Sequence, residues 1–236
     1  MSGKLILIPT PISDTEKYST HIPEIQKYIS VLKIYVVEEI RTARRFIRSI
    51  DKNVVIDELQ FFILNEHNSA QVLGDVLKLL KDGHTVGMMS EAGCPAVADP
   101  GADLVFRCHT ESIEIEPLVG PSSILMALMS SGLSGQQFSF NGYMPAKSDE
   151  RQKYITILNK TAMAGGHTQI YIEAPYRNKQ VFDDLVKYVS PQLWLCVAMD
   201  VTGKEQYIKT ASIKWWSTNP PVLGKLPAIF LIGKHS

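Results

Sequence analysis

Twelve residues from Ser90 to Gly101 carry two glycines, two prolines and two acids between two apolar runs. A plain connection between elements needs only a few residues, so a helix start alone does not explain the stretch from Ser90 to Val97. Asp99, followed by Pro and Gly, has the form of a helix N-cap with Pro at the first helical position. We therefore expect Asp99 to cap a helix and the preceding loop to bind a ligand.

Four arginines recur at the spacing of one helix face, namely Arg41, Arg44, Arg45 and Arg48. Such a face is either solvated and paired with acids or a phosphate-binding stripe, and both interpretations stay open. The formal net charge is +0, so any contact with nucleic acid must depend on a local patch of this kind. A second, looser basic cluster comprises Lys147, Arg151 and Lys153.

Several familiar site motifs are absent from the sequence. It contains no G-x-G-x-x-G, no G-x-x-x-x-G-K-[ST], no H-E-x-x-H and no G-x-S-x-G, which disfavours ordinary dinucleotide, P-loop and hydrolase chemistry. The six histidines are scattered, so we predict surface positions for them and no metal site. The three cysteines form no C-x-x-C pair, which argues against zinc and disulfides and favours a reducing cytoplasm.

A second candidate ligand site lies at "GPSS" (120–123), which opens an apolar helix. The free N–H groups of a helix start can hold a polar ligand group, but serine also begins many helices as a plain cap. The sequence leaves both interpretations open.

Strand-like runs at 4–9, 33–37, 61–64, 85–90 and 113–117 alternate with helical patterns, which indicates βαβ units and a parallel sheet. Further strands are predicted at 138–144, 168–174 and 193–201, followed by two segments with no clear helix between them, which favours antiparallel pairing near the end. The fold class is therefore α/β, with an open, mostly parallel sheet in a domain at 1–118 and a mixed sheet in a domain at 119–236. No apolar run reaches the roughly 18 residues of a membrane span, so no membrane partner is expected.

Seven segments in one collinear order resemble the tetrapyrrole-methylase superfamily of S-adenosylmethionine-dependent methyltransferases, in particular its ribosomal RNA small-subunit methyltransferase I branch. They span nearly the whole chain and read "LILIPTPISD", "VVEEIRTARRFI", "MMSEAGCPAVADPGADLV", "LVGPSSILMALMSSGL", "FSFNGYMPAKSDERQ", "YIEAPYRNKQVFDDL" and "PAIFLIG".

The resemblance implies a homodimer of two-domain α/β chains, with the methyl donor in the cleft between the domains. The loop "SEAGCPAV" would wrap the donor, largely through its backbone. By the same match the donor-contacting residues would be Pro11, Ser90, Glu91, Ala92, Gly93, Val97, Ser122, Ser123, Tyr171, Ile172, Pro227 and Ala228.

The acceptor side follows the branch less faithfully. Where the branch has S-D-A-G-T-P, A-E-D-T-R and Y-E-S-x-H-R, this chain has "SEAGCP", "VEEIR" and "YIEAPYR". Arg41 and Arg177 fall where the branch has arginines, and an RNA acceptor would also be contacted by Arg44 and Arg45 of the stripe and by Lys147 of the second cluster. Glu39, Glu91 and Glu173 are candidate catalytic carboxylates, and each is equally compatible with a surface acid or a helix start.

Three functions fit these observations. The favoured one is ribose 2′-O-methylation of small-subunit ribosomal RNA, which uses the arginine stripe. The alternatives are methylation of a tetrapyrrole or other small molecule, and a donor-binding regulator without catalysis. Because a sulfonium is an excellent leaving group, positioning can supply most of the acceleration in either enzyme.

Overall fold

The computed structural model describes residues 3–15, 22–65 and 69–234. The chain divides into two units, Met1–Ile12 with Tyr18–Ser122 and Ser13–Lys17 with Ser123–Ser236. Ser13 belongs to the second unit although it follows the first strand in sequence. Its hydroxyl donates to Asp200 Oδ1 at 2.8 Å. Three of the six histidines, His21, His67 and His235, lie outside the described residues.

Unit 1 alternates strands and helices along the chain, as the sequence pattern predicts. Its strands are β1 (Lys4–Leu7), β2 (Ile34–Val37), β3 (Gln60–Ile63), β4 (Val86–Met89) and β5 (Glu114–Pro117). Its helices are α1 (Pro23–Val31), α2 (Ile40–Ile50), α3 (Ser69–Lys81) and α4 (Ala102–Thr110), with a 3-10 turn at Ile56–Glu58. The strand order is β3-β2-β4-β1-β5 and every pairing is parallel, which confirms the predicted sheet.

Both faces of this sheet are covered, which explains why β2 and β4 are apolar throughout. Tyr35 and Val37 face a cluster completed by α1 and α2. Val36 and Met88 face the opposite cluster, completed by α3 and α4. The period-2 alternation of side chains thus divides each central strand between two cores.

Unit 2 is built around a mixed sheet. Its strands are β6 (Phe138–Tyr143), β7 (Thr168–Glu173), β8 (Trp194–Met199), β9 (Tyr207–Ser212) and β10 (Ala228–Gly233), in the order β6-β7-β10-β8-β9. Its helices are α5 (Ser123–Ser131), α6 (Ser148–Gly165), α7 (Asn178–Tyr188) and α8 (Ile213–Thr218), with a 3-10 turn at Pro175–Arg177. Only β6 and β7 pair in parallel, and the other three pairings are antiparallel.

Two details of the second half differ from the sequence-based expectation. The short helix α8 lies between β9 and β10, where no helix was predicted; Ser212 caps it by accepting the N–H of Trp215 at 3.2 Å. Trp216 of this helix is buried between the sheet and α7. Its indole N–H donates to Leu195 O at 2.8 Å, and the indole ring packs edge-on against the Phe182 ring. A tertiary contact therefore stabilises a helix too short to show a periodic pattern.

Arg151 does not belong to an exposed basic cluster, contrary to the expectation from its spacing with Lys147 and Lys153. Its side chain is fully buried. The guanidinium donates to Asp184 Oδ2 at 2.8 Å and to the carbonyls of Pro145 at 2.7 Å and Ala146 at 2.9 Å. Arg151 thus fixes the segment between β6 and α6 to α7.

Replacing Arg151 with Met should destabilise the second unit by about 3–5 kcal/mol, because Asp184 and two carbonyls lose a buried charged partner. The readout is urea unfolding followed by the fluorescence of the three tryptophans, all of which lie in this unit. The control Lys153→Met, on the exposed side of the same helix, should cost less than about 0.5 kcal/mol. Equal losses in the two variants would contradict the assigned role of Arg151.

Candidate functional site

The carboxyl ends of β1 and β4 define the candidate site in unit 1. These strands are neighbours, yet the helices that follow them, α1 and α4, pack on opposite faces of the sheet. The helices that follow β1 and β4 thus change faces of the sheet between these two strands, and the crevice expected at such a point lies at their carboxyl ends. Open α/β sheets bind their ligands at such a position.

Three loops meet at this crevice: Pro9–Pro11 after β1, Ser90–Ala98 after β4 and Leu118–Ser122 after β5. We call them the three-loop edge. Thr10 N donates to Gly93 O at 2.9 Å and Gly93 N donates to Thr10 O at 3.2 Å. Cys94 Sγ lies 3.4 Å from Pro121 O. A side chain at Gly120 would overlap Pro9, with its Cβ at 2.1 Å from the proline Cβ, so glycine is required there.

The Ser90–Ala98 loop has an unusual backbone. Ala96 and Ala98 have φ values of 65° and 62°, in the left-handed region that non-glycine residues seldom occupy. The Asp99 carboxylate stabilises this shape, since it accepts the N–H of Ala96 at 2.9 Å and that of Gly101 at 2.7 Å. The prediction that Asp99 caps the helix is wrong: α4 begins at Ala102, its N-cap position is Gly101, and Asp99 instead holds the loop in place.

Two half-buried acids lie beside this loop. Glu38, at the end of β2, accepts the N–H of Glu91 at 3.2 Å. Burial raises the pKa of Glu38 above the ordinary carboxyl value, and the nearby charge of Asp99 adds to that. Burial also raises the pKa of Asp99, against the opposing hydrogen bonds from Gly101 and Ala96. Both acids line a depression at the carboxyl ends of β2 and β4, which has room for about one water.

Of the carboxylates singled out in the sequence, two lie in unit 1. Glu39 is the N-cap of α2, where it accepts the N–H of Thr42 at 2.9 Å. Hydrogen bonds from the backbone of Arg41 and Thr42 lower its pKa, so Glu39 is poorly suited to accept a proton. Glu91 is exposed in the loop. The buried acid that sequence reasoning missed is Glu38, which only its position at the end of a buried strand could have indicated.

The unit 1 residues expected to contact a donor lie on or next to the three-loop edge. Gly93 is buried, with φ 79°, and Ser90 Oγ donates to its carbonyl at 3.3 Å. Pro11, Ser90 and Ser122 are half-buried, whereas Glu91, Ala92 and Val97 are exposed. Ser123 begins α5 in unit 2 and is half-buried.

The unit 2 residues expected to contact a donor lie along one edge of its sheet, where β7 and β8 end and β10 begins. Pro227 is exposed there, Ala228 is buried and pairs with Glu173, and Ile172 is half-buried. The Tyr171 side chain points away from any surface: it is buried in the core and its hydroxyl lies 3.4 Å from that of Tyr154. Tyr171 can therefore reach a ligand only through its backbone.

At the end of β7, the buried Glu173 pairs with the half-buried Arg177. Arg177 Nη2 lies 3.3 Å from Glu173 Oε2 and donates to Met144 O at 2.7 Å and Pro145 O at 3.1 Å. Burial raises the pKa of Glu173, although the N–H of Ala174 and the charge of Arg177 oppose the shift. These contacts give Arg177 a structural role, while Lys147 is exposed and lies 3.1 Å from Glu150.

The arginine stripe lies on α2, as predicted. The helix buries Ala43, Phe46 and Ile47, so the residues between them face solvent. All four arginines of the stripe are exposed, and the Arg44 guanidinium stacks over the Phe61 ring at 5.6 Å. α2 thus presents a row of cations beside the carboxyl end of β2.

Known proteins resemble the chain in sequence and in fold. No protein-family profile matches it. It is 30% identical over 187 residues to the ribosomal RNA small subunit methyltransferase I of Thermotoga maritima, covering 79% of this chain and 78% of that one. To the protein of the same name from Buchnera aphidicola it is 28% identical over 208 residues, or 88% of this chain and 68% of that one. The fold matches the uroporphyrin-III-C-methyltransferase of Thermus thermophilus with a TM-score of 0.58 at 14% identity, over 100% of this chain and 94% of that one.

Among the helices of residues 3–15, 22–65 and 69–234, none is both long and apolar enough to cross a membrane. Within the same ranges, no group of three His, Cys, Asp or Glu side chains is arranged to hold a metal ion.

Replacing Asp99 with Ala should release the Ser90–Ala98 loop, because hydrogen bonds to a charged carboxylate contribute about 1.5–3 kcal/mol. We expect the amides of Ala96 and Gly101 to exchange hydrogen about 10- to 100-fold faster. The control Asp103→Ala, exposed in the first turn of α4, should leave both amides unchanged. Unchanged exchange in Asp99→Ala would contradict the role assigned to this carboxylate.

Proposed function

Because the chain belongs to the ribosomal RNA small subunit methyltransferase I family, and so is a methyltransferase, we propose that it transfers a methyl group from S-adenosylmethionine to small-subunit ribosomal RNA. We propose a ribose 2′-hydroxyl as the acceptor and the cytoplasm as the place of action. The convergence of the three loops at the carboxyl edge of unit 1 carries the proposal.

The donor suits the three-loop edge chemically. S-adenosylmethionine carries a positive sulfonium and a positive amino group, and it supplies an electrophilic methyl. Glu38 and Asp99 are half-buried carboxyls at this edge, and a nearby cation would favour their ionised forms. The close backbone approach at Gly93 and Gly120 leaves main-chain groups, rather than side chains, to meet a ligand.

For the acceptor, the stripe on α2 supplies phosphate contacts. Its four arginines are exposed on a chain whose formal net charge is +0, so the stripe is a local rather than a global attraction for RNA. Among the acids at this edge, Glu38 is the candidate to accept or orient the proton of a ribose hydroxyl. Its raised pKa brings its protonation closer to neutral pH, which suits a general base.

The tetrapyrrole alternative has weaker support. The solved uroporphyrin-III methyltransferases share 12–14% identity with this chain, which supports a common fold only, whereas the ribosomal RNA methyltransferases share 26–34%. A homodimer is also part of the proposal, as the resemblance implies, and its interface is not assigned.

Incubating the chain with methyl-labelled donor and small ribosomal subunits from a strain lacking the gene should label the RNA, whereas subunits from the parent strain should stay unlabelled. Mapping the label to a ribose would support the 2′-O assignment. If protein that binds the donor by calorimetry labels neither preparation, the ribosomal acceptor is wrong. Labelling of a tetrapyrrole in a parallel reaction would then favour the alternative.

The double variant Arg44→Gln/Arg45→Gln should weaken binding to small-subunit RNA and reduce the slope of log affinity against log salt by about 1 to 2, because two phosphate contacts are lost. Fluorescence anisotropy at several salt concentrations measures both. The matched control is Lys78→Gln/Arg107→Gln, which removes two exposed cations from α3 and α4. An equal change in slope for both variants would mean that α2 has no special role.

A further inference from the structure

Two tyrosines protrude at one edge of the unit 2 sheet. Tyr143 ends β6 and is 58% exposed, and Tyr176 follows β7 and is 86% exposed. β6 and β7 run in parallel, with Tyr143 opposite Ile172, so their carboxyl ends lie at the same edge. Large rings this exposed at the ends of two neighbouring strands have no role in the core of unit 2.

The backbone beneath the two rings is held by buried contacts. Arg177, the residue after Tyr176, donates to the carbonyls of Met144 and Pro145, which follow Tyr143. The segments that carry the two tyrosines are therefore bonded directly to each other. Glu173 pairs with Arg177, and Arg151 also donates to the Pro145 carbonyl, at 2.7 Å.

A bulge in β6 sets the position of Tyr143. Phe140 pairs with Ile170 and Tyr143 with Ile172, so three steps along β6 oppose two along β7. Gly142 supplies the left-handed backbone at this point, with φ 66°. Bulges of this kind redirect a side chain at the end of a strand.

The lysines next to the two tyrosines along the chain each have an exposed acid beside them. Lys147 lies 3.1 Å from Glu150, and Lys179 lies 2.6 Å from Asp183, so these segments carry no excess of positive charge. The feature that sets this edge apart is the pair of exposed aromatic rings. Unpaired RNA bases stack on such faces, and tyrosine offers a large ring at low conformational cost.

We propose that Tyr143 and Tyr176 form a stacking platform for unpaired bases of the RNA acceptor. This inference rests on the proposed function, and it assigns the contact with unpaired bases to unit 2. A tyrosine ring is neutral and releases no counterions, so this contact should be nearly independent of salt, in contrast to the phosphate contacts of α2. A second copy of this chain is the competing occupant, and the experiment separates the two.

The test measures binding of a single-stranded small-subunit RNA fragment, and of the same sequence as a duplex, to Tyr143→Leu and Tyr176→Leu. Leucine keeps an apolar side chain but removes the aromatic face. Each variant should bind the single strand about 5- to 100-fold more weakly, with an unchanged salt slope and unchanged duplex binding. The variants Tyr143→Phe and Tyr176→Phe should stay within about twofold of wild type.

Phe106→Leu, which removes an exposed ring from α4, is the matched control and should bind as wild type does. Tryptophan fluorescence and donor calorimetry verify that each variant is folded.

Wild-type affinity in both leucine variants would overturn the proposal, as would a wild-type chain that does not bind the single strand. The proposal would also be wrong if sedimentation showed that the leucine variants no longer self-associate while their RNA binding is unchanged. The surface would then join two copies of the chain. A wild type that binds this RNA but labels no small ribosomal subunits would contradict the proposed function, while the binding data would still decide the platform.

Discussion

Two backbone hydrogen bonds between Thr10 and Gly93 fix the loop after β4 to the loop after β1, and the geometry of the whole three-loop edge follows from them. With Gly93 held there, the chain must still reach α4, and it does so through two left-handed alanines. Such residues cost on the order of 1–3 kcal/mol each. The charged hydrogen bonds that Asp99 accepts are of the same order, which explains why a half-buried carboxylate is retained despite its desolvation.

The periodic parts of the fold could be predicted from the sequence because they depend on short-range pattern. The five strands of unit 1 follow from short apolar runs that alternate along the chain with helical patterns. The exposed stripe of α2 follows from the helical spacing of its arginines. Asp99 shows where that reasoning ends. An N-cap and an aspartate that folds back on its own loop have the same local sequence, and only the pairing of the loop with Thr10 decides between them.

Burial is the second property that local sequence does not reveal. Glu38 and Glu39 are adjacent acids, yet one is half-buried at a strand end and the other caps a helix in solvent, so burial raises the pKa of one while backbone hydrogen bonds lower that of the other. Arg151 looked like part of a basic cluster, but its partner Asp184 is 33 residues away. Contacts of that separation set the roles of both residues.

The arginines of this chain therefore divide into two physical classes. Those of α2 are solvated, so their attraction for an anion is long-ranged and weakened by salt. Arg151 and Arg177 instead bond to backbone carbonyls and to the carboxylates of Asp184 and Glu173, so their charges are already compensated within unit 2.

Under the proposed function, methyl transfer from a sulfonium would suit such a division, because this reaction needs an aligned acceptor more than it needs strong acid or base chemistry. The solvated arginines of α2 would then attract an RNA at long range, while Arg151 and Arg177 would hold the backbone of unit 2 in place.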